Sequence, residues 1–177
     1  MVKLDNNETI LVEKQIKILN EINIICLNLT FQLWLRGGWA IDFLLGNITR
    51  EHSDIDLVTF IQYREELELA MVNAGFKKIP VSMLQTDFIK DEVDVSFVFV
   101  RISEECKIIA NGFPNWEWRN DALPIQKYNL KGISINVLNP HQLLDEKKIY
   151  EKGTGRKLRP KDIESMKVIQ GIIDEIS

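Results

Sequence analysis

The chain has 177 residues, 45% apolar and 27% charged, the proportions of a globular protein with one hydrophobic core. A net charge of −4 and a pI near 5.3 lack the basic excess of broad nucleic-acid binders, and suit a cationic small partner. No apolar run approaches the roughly 18–20 residues a bilayer crossing takes, and MVKLDNNETI has no secretory h-region, so no membrane and a cytoplasmic location are expected. Cys26 and Cys106 have no metal-ligand spacing and are expected as free thiols.

From about Asn7 to Leu29, apolar residues recur at three-and-four spacing (Ile10, Leu11, Ile18, Leu19, Ile22, Ile25, Cys26), which predicts one long packing helix. Phe31–Leu35 reads as a strand that runs into Arg36, Gly37 and Gly38. Trp39–Leu45 reads as a short helix stopped by Gly46. Strand, glycine turn, helix is an order that aims backbone amides and the positive helix end at an anion, and glycine leaves room for the backbone to approach it. There is no P-loop motif.

His52–Phe60 (HSDIDLVTF) alternates as a strand, with Ile55 and Leu57 on one face and Asp54 and Asp56 on the other. Two carboxylates that close raise each other's pKa unless a cation lies between them, and a hard divalent ion such as Mg²⁺ removes that cost. Gln62–Ala74 reads as an amphipathic helix with Leu67, Leu69, Ala70, Met71 and Val72 as core candidates, and Phe76–Pro80 and Met83–Lys90 as strands. In Glu92–Val100, Val93, Val95 and Phe97 face one way, and Glu92, Asp94 and Ser96 the other. Paired strands lie about 4.8 Å apart, so Asp94 would join Asp54 and Asp56 if the two strands were neighbours.

Asn111–Pro124 is irregular and holds Trp116, Glu117, Trp118 and Asp121. Aromatic faces mixed with acids suit a sugar ring bearing ammonium groups; the same tryptophans would equally pin a loop to the core. These residues and Glu92 are the substrate-side candidates. Ile125–Leu138 reads as two strands joined at Lys131-Gly132, Pro140 opens a helix capped by Asn139, and a last helix runs from about Pro160 to Ile176. Between them a turn carries Arg156, Lys157, Arg159 and Lys161, which suit either a triphosphate or solvent. Residues 1–138 are expected to form the core unit and 139–177 a helical tail packed on it.

Gly37-Gly38, then Asp54-x-Asp56 after a short helix, then Asp94 on a later strand, resembles the nucleotidyltransferase superfamily of DNA polymerase beta. More narrowly, GGWAIDFLLGNITREHSDIDL is similar to small antibiotic nucleotidyltransferases that adenylylate aminoglycosides or lincosamides. Asp42, Gly46, Arg50 and His52 match in order. The stretch with Lys147 and Arg159-Pro160-Lys161-Asp162 is similar to the helical tail of minimal nucleotidyltransferases. The resemblance implies an α+β fold, a mixed sheet flanked by helices with a short C-terminal helical segment. It implies that Gly37 and Gly38 cradle nucleotide phosphates, that Asp54 and Asp56 bind Mg²⁺ (two ions in the productive complex), and that Asp94 is a metal ligand, the general base, or both. Arg50, His52 and Lys147 would either support the metal ligands from behind or stand on the phosphate side. The implied reaction moves AMP from ATP to a hydroxyl of a cationic small molecule; the alternative is a protein-adenylylating enzyme of the antitoxin kind.

Overall fold

In a computed structural model that describes residues 6–110 and 117–176, the two aspartate strands lie side by side in one mixed sheet. The strands are β1 (Trp34–Arg36), β2 (Asp54–Phe60), β3 (Lys77–Ser82), β4 (Gln85–Lys90), β5 (Val93–Ile102), β6 (Ile108–Ile109), β7 (Lys127–Leu130) and β8 (Ile133–Val137). The main path runs β3-β4-β5-β2-β1-β8-β7, with β6 paired to β5 beside it. β2–β5 and β1–β8 are parallel; the other pairs are antiparallel. The helices are α1 (Asn6–Asn28), α2 (Gly37–Leu45), α3 (Arg64–Asn73), α4 (Pro140–Lys148), α5 (Tyr150–Thr154) and α6 (Pro160–Ile176).

Alternation along β2 and β5 divides their side chains between two environments. Ile55, Leu57, Val95 and Phe97 are fully buried, while Asp54, Asp56 and Ser96 on the opposite face are half-exposed and Asp94 is exposed. The buried face packs under α1, which touches β2, β5 and β8 and contributes Ile18, Leu19, Ile22 and Cys26. Phe76, Phe88, Phe97 and Phe99 continue this core as a chain of ring contacts, two of them edge-on at 6.4 and 5.8 Å. Ile10, in the apolar stripe of α1, is exposed.

The element boundaries carry their own causes. Gly46 ends α2 with φ +78°, its amide bonded to Asp42 O at 2.8 Å. Asn139 caps α4, its side chain accepting from the amide of His141 at 2.9 Å, and Pro140 follows at the first helical position. α2 begins two residues before the expected Trp39, so that both glycines lie in its first turn. α3 departs from its expected stripe: Leu67 and Met71 are buried, whereas Leu69 and Val72 are exposed. It reaches the sheet at the outer strand β3, whose side chains are all exposed, and so buries only one i, i+4 pair. Both thiols are free; burial pushes Cys26 up to about 12. Among the described residues no helix is long and apolar enough to cross a membrane.

Candidate functional site

The parallel pairing of β2 and β5 puts Asp54 opposite Asp94 and Asp56 opposite Ser96. Neighbouring strands extend the second row: Arg36 of β1 stands opposite Asp56, and Asp87 of β4 opposite Ser96. The Gln85 amide donates to Asp87 Oδ1 at 3.1 Å and Ser96 Oγ at 3.2 Å, which ties this polar row together. Asp54, Asp56 and Asp94 therefore meet on one sheet face beside the start of α2. Their side chains are not gathered on one point: among the described residues no three His, Cys, Asp or Glu groups stand ready to enclose a metal ion.

Both glycines are explained by what lies against them. Gly37 has φ +68°, and a Cβ there would overlap Asp56 Oδ2 and stand 3.2 Å from that residue's Cβ and Cγ. A Cβ on Gly38 would overlap the imidazole of His52 and come within 3.2 Å of Arg50 Nη2. Glycine at these positions lets the chain turn directly over Asp56 and His52.

His52 is fixed from below. Asp42, the one acid in the apolar helix α2, is fully buried; its Oδ2 lies 2.6 Å from His52 Nε2, and its Oδ1 accepts from the Thr49 hydroxyl at 2.5 Å. Gln15 of α1 donates to His52 O at 2.8 Å and accepts from Trp39 Nε1 at 3.1 Å. With Nε2–H directed at Asp42, His52 Nδ1 is buried, faces Gly38 and has no partner among the described residues. The ring borders a cavity of about 260 Å³ lined also by Gly38, Thr49, Arg50, Glu164 and Ser165. Arg50 additionally donates to Glu51 O at 3.0 Å.

The helical tail closes over the same face. Glu146 of α4 pairs with Arg36 at 3.3 Å, and Lys147 donates to Asp162 of α6 at 2.6 Å. Burial pushes the Asp56 carboxyl up, to about 6; Arg36 and Lys147 pull it down, and Asp54 and Glu146 push it further up. For Arg36, burial acts to lower the guanidinium, but Glu146, Asp56 and Asp54 outweigh it and hold it above its usual value. Asp162 is held well below the usual carboxylate range, first by Arg159 and, against the cost of burial, by Lys147.

The substrate-side candidates among the described residues are engaged with partners outside this cluster. Glu92 lies in the turn before β5 rather than on the strand, with φ +66°, and is directed to Lys14 at 3.8 Å. The turn needs left-handed backbone at Asp91 and Glu92, so the alternation starts only at Val93. Trp118 is 4% exposed and belongs to the core, its amide donating to Ile108 O at 2.9 Å. Asp121 is engaged by Arg119 through two bonds of 2.8 and 3.0 Å. Glu117 pairs with Lys107 at 3.0 Å, and Trp116 lies outside the described residues.

Arg36 and Glu146 took no part in the site expected from the sequence, and Asp42 and Asp162 stood in the resembling stretches with no role given to them. An arginine directly before a glycine turn, and an acid inside an otherwise apolar helix, were the signals for Arg36 and Asp42.

Comparison with known proteins places this geometry. A 2''-aminoglycoside nucleotidyltransferase of Escherichia coli is 30% identical over 122 residues, 69% of this chain and 56% of that protein. The chain thus spans little more than half the length of the curated relative it matches. The crystal structure of ANT(2'')-Ia in complex with adenylyl-2''-tobramycin superposes with a TM-score of 0.72 at 21% identity, covering 88% of this chain and 87% of that one. The lincomycin-bound lincosamide adenylyltransferase LnuA gives 0.66 at 18% identity, covering 97% and 99%. Both likenesses establish the nucleotidyltransferase fold. The family model for aminoglycoside-2''-adenylyltransferases matches residues 18–169, and the chain belongs to that family.

Proposed function

We propose that this protein transfers a nucleoside monophosphate, AMP from ATP, to a hydroxyl of an aminoglycoside- or lincosamide-type antibiotic and releases pyrophosphate. The observation that carries the reading is the in-register pairing of Asp54 with Asp94 beside a glycine turn that closes on Asp56. The relatives' names favour an antibiotic acceptor over a partner protein.

Each residue then has a task set by its position. Asp94, the most exposed of the three carboxylates, takes the proton from the acceptor hydroxyl. The freed oxygen forms a bond to the α-phosphorus as the bond from that phosphorus to the bridging oxygen breaks, and the electron pair leaves with pyrophosphate. Backbone at Gly37 and Gly38 lies along the phosphate chain, with Arg50 at its flank and the His52 ring packed beneath Gly38. Lys147 and Arg36 offset the charge gathered at Asp56.

The donor chemistry suits magnesium, with the three side chains still to converge: they are hard oxygens on one face, and the Asp56 carboxyl carries a burial cost that a cation relieves. Asp54 and Asp56, with Asp94, would hold Mg²⁺. When bound, it supplies charge neutralisation to the phosphoryl group and the leaving oxygen.

Incubating the protein with ATP, Mg²⁺ and a panel of aminoglycosides and lincosamides, and reading pyrophosphate and product mass, tests the proposal. A gain of one AMP on one compound is expected. Turnover of no compound, with label transferred to a co-purifying protein instead, would overturn the acceptor assignment.

A further inference from the structure

Asp162 is 1% exposed, yet it is charged, and its four close contacts are all to cationic residues. Oδ1 accepts from Lys147 Nζ at 2.6 Å and Arg159 Nη2 at 3.1 Å. Oδ2 accepts from Arg159 Nε at 2.8 Å and from the Arg159 amide at 3.1 Å. Part of this is ordinary helix chemistry. Arg159 precedes Pro160 at the start of α6, and a carboxylate three residues on reaches back to that amide as the second half of a capping box does. The cap accounts for one bond of the four. The other three gather an ammonium from α4 and a guanidinium from the turn before α6 onto one buried anion, leaving one positive charge in excess.

That excess sits at the end of α4, which is tied to the aspartate face. Lys147 follows Glu146, whose carboxylate pairs with Arg36 at 3.3 Å, and Arg36 stands in register with Asp56. This contact fixes the end of α4 over the carboxylate face of the sheet. Lys147 acts on Asp56, and Asp54 acts on Arg159, which agrees with that placement. A nucleoside triphosphate brought beside Asp54 and Asp56 meets strong repulsion, and cations already held in place offset it without losing side-chain freedom on binding.

We propose that Asp162 is a positioning residue for the nucleotide: its buried carboxylate holds Lys147 and Arg159 as a fixed cation pair that faces Asp54 and Asp56 and receives the phosphate chain. The inference rests on the nucleotidyltransferase reading above and adds to it the tail residues that create triphosphate affinity. Asp162 touches no substrate; it acts through the two cations.

The decisive variant is Asp162→Asn, which keeps an acceptor for the Arg159 amide and removes the charge. Binding of ATP and of adenosine is measured by calorimetry on the intact chain, together with KM and kcat and the unfolding midpoint. ATP affinity is expected to fall by about tenfold to a hundredfold, the range seen when a group that orients a binding side chain is lost, with adenosine affinity unchanged. The KM for ATP should rise more than kcat falls, and Asp162→Glu should restore part of the loss. Equal losses for ATP and adenosine, tracking the unfolding midpoint, would make Asp162 only a helix cap and overturn the proposal. Should Asp162→Asn not fold, Lys147→Met and Arg159→Gln carry the test: each should weaken ATP and spare adenosine, and an unchanged ATP affinity in either overturns it. A wild type that binds ATP while Asp162→Asn binds it equally well refutes this proposal alone. A wild type that binds no nucleoside triphosphate refutes the nucleotidyltransferase reading, and this one with it.

Discussion

Replacing Gly37 by alanine separates what the glycine turn does for the fold from what it does for the site. Left-handed backbone at a residue bearing a Cβ costs about 1–2 kcal/mol, and Gly37 has φ +68°. Gly46, with φ +78° and nothing within 4 Å of an added Cβ, serves as the control that carries the backbone cost alone. At Gly37 the new methyl also overlaps Asp56 Oδ2 and stands 3.2 Å from that residue's Cβ and Cγ, so the whole carboxyl must move. Crowding of that kind adds roughly 1–3 kcal/mol. For a chain of this size each kcal/mol lowers the unfolding midpoint by about 2–4 °C. Gly46→Ala should therefore fall about 2–8 °C and Gly37→Ala about 4–20 °C. Turnover should diverge further, because a displacement near 1 Å at a reacting group costs on the order of a hundredfold. Pyrophosphate release at a temperature where both variants are fully folded measures this. If Gly37→Ala loses no more turnover than Gly46→Ala, the glycine is only a turn and its closure over Asp56 is irrelevant to the chemistry.

The other expectations follow from single residues. Asp54→Asn and Asp56→Asn should each reduce turnover by at least about a hundredfold while leaving the fold intact by circular dichroism; near wild-type rates in either would remove the metal assignment. Without divalent metal, the raised Asp56 carboxyl binds a proton more tightly in the folded chain than in the unfolded one. Its contribution to stability is thus full below about pH 4 and is lost as pH rises through about 6. Melting of metal-free Asp56→Asn against wild type should show the variant gaining relative stability across that window, and a constant difference would contradict the assignment. Asp42→Ala strips the partner from His52 Nε2 and Thr49 Oγ1 inside the core; a loss of roughly 3 kcal/mol, or about 6–12 °C in the midpoint, is expected by calorimetry.

Much of the candidate site's layout was legible because β2 and β5 alternate cleanly and their acids interrupt an apolar rhythm. Asp54, Asp56 and Asp94 stood out on that ground, and the boundaries of α4 and α6 followed from Asn139, Pro140 and Pro160. What escaped was whatever depended on a partner distant in sequence. Arg36 matters through the antiparallel register that sets it opposite Asp56, and Asp162 through α4 folding back against α6. Periodicity failed where its premise of one buried face failed: α3 lies at the sheet's outer edge, so Leu69 and Val72 stay in solvent. Glu92 was misplaced because two left-handed residues reset the alternation before β5 begins.

The parallel pairing of β2 with β5 also bears on which parts of the chain are free to vary. Seven successive residue pairs, Asp54–Phe60 with Asp94–Val100, lock the two carboxylates together. The chain between them leaves the sheet's centre, forms α3, β3 and β4, and returns. Lengthening or trimming the β3–β4 hairpin at the rim leaves those seven pairs as they are, whereas a one-residue slip in β5 would turn Asp94 into the core. The register of the two carboxylates and the length of the rim are thereby held by separable parts of the chain, so the rim can vary while Asp54 and Asp94 stay paired.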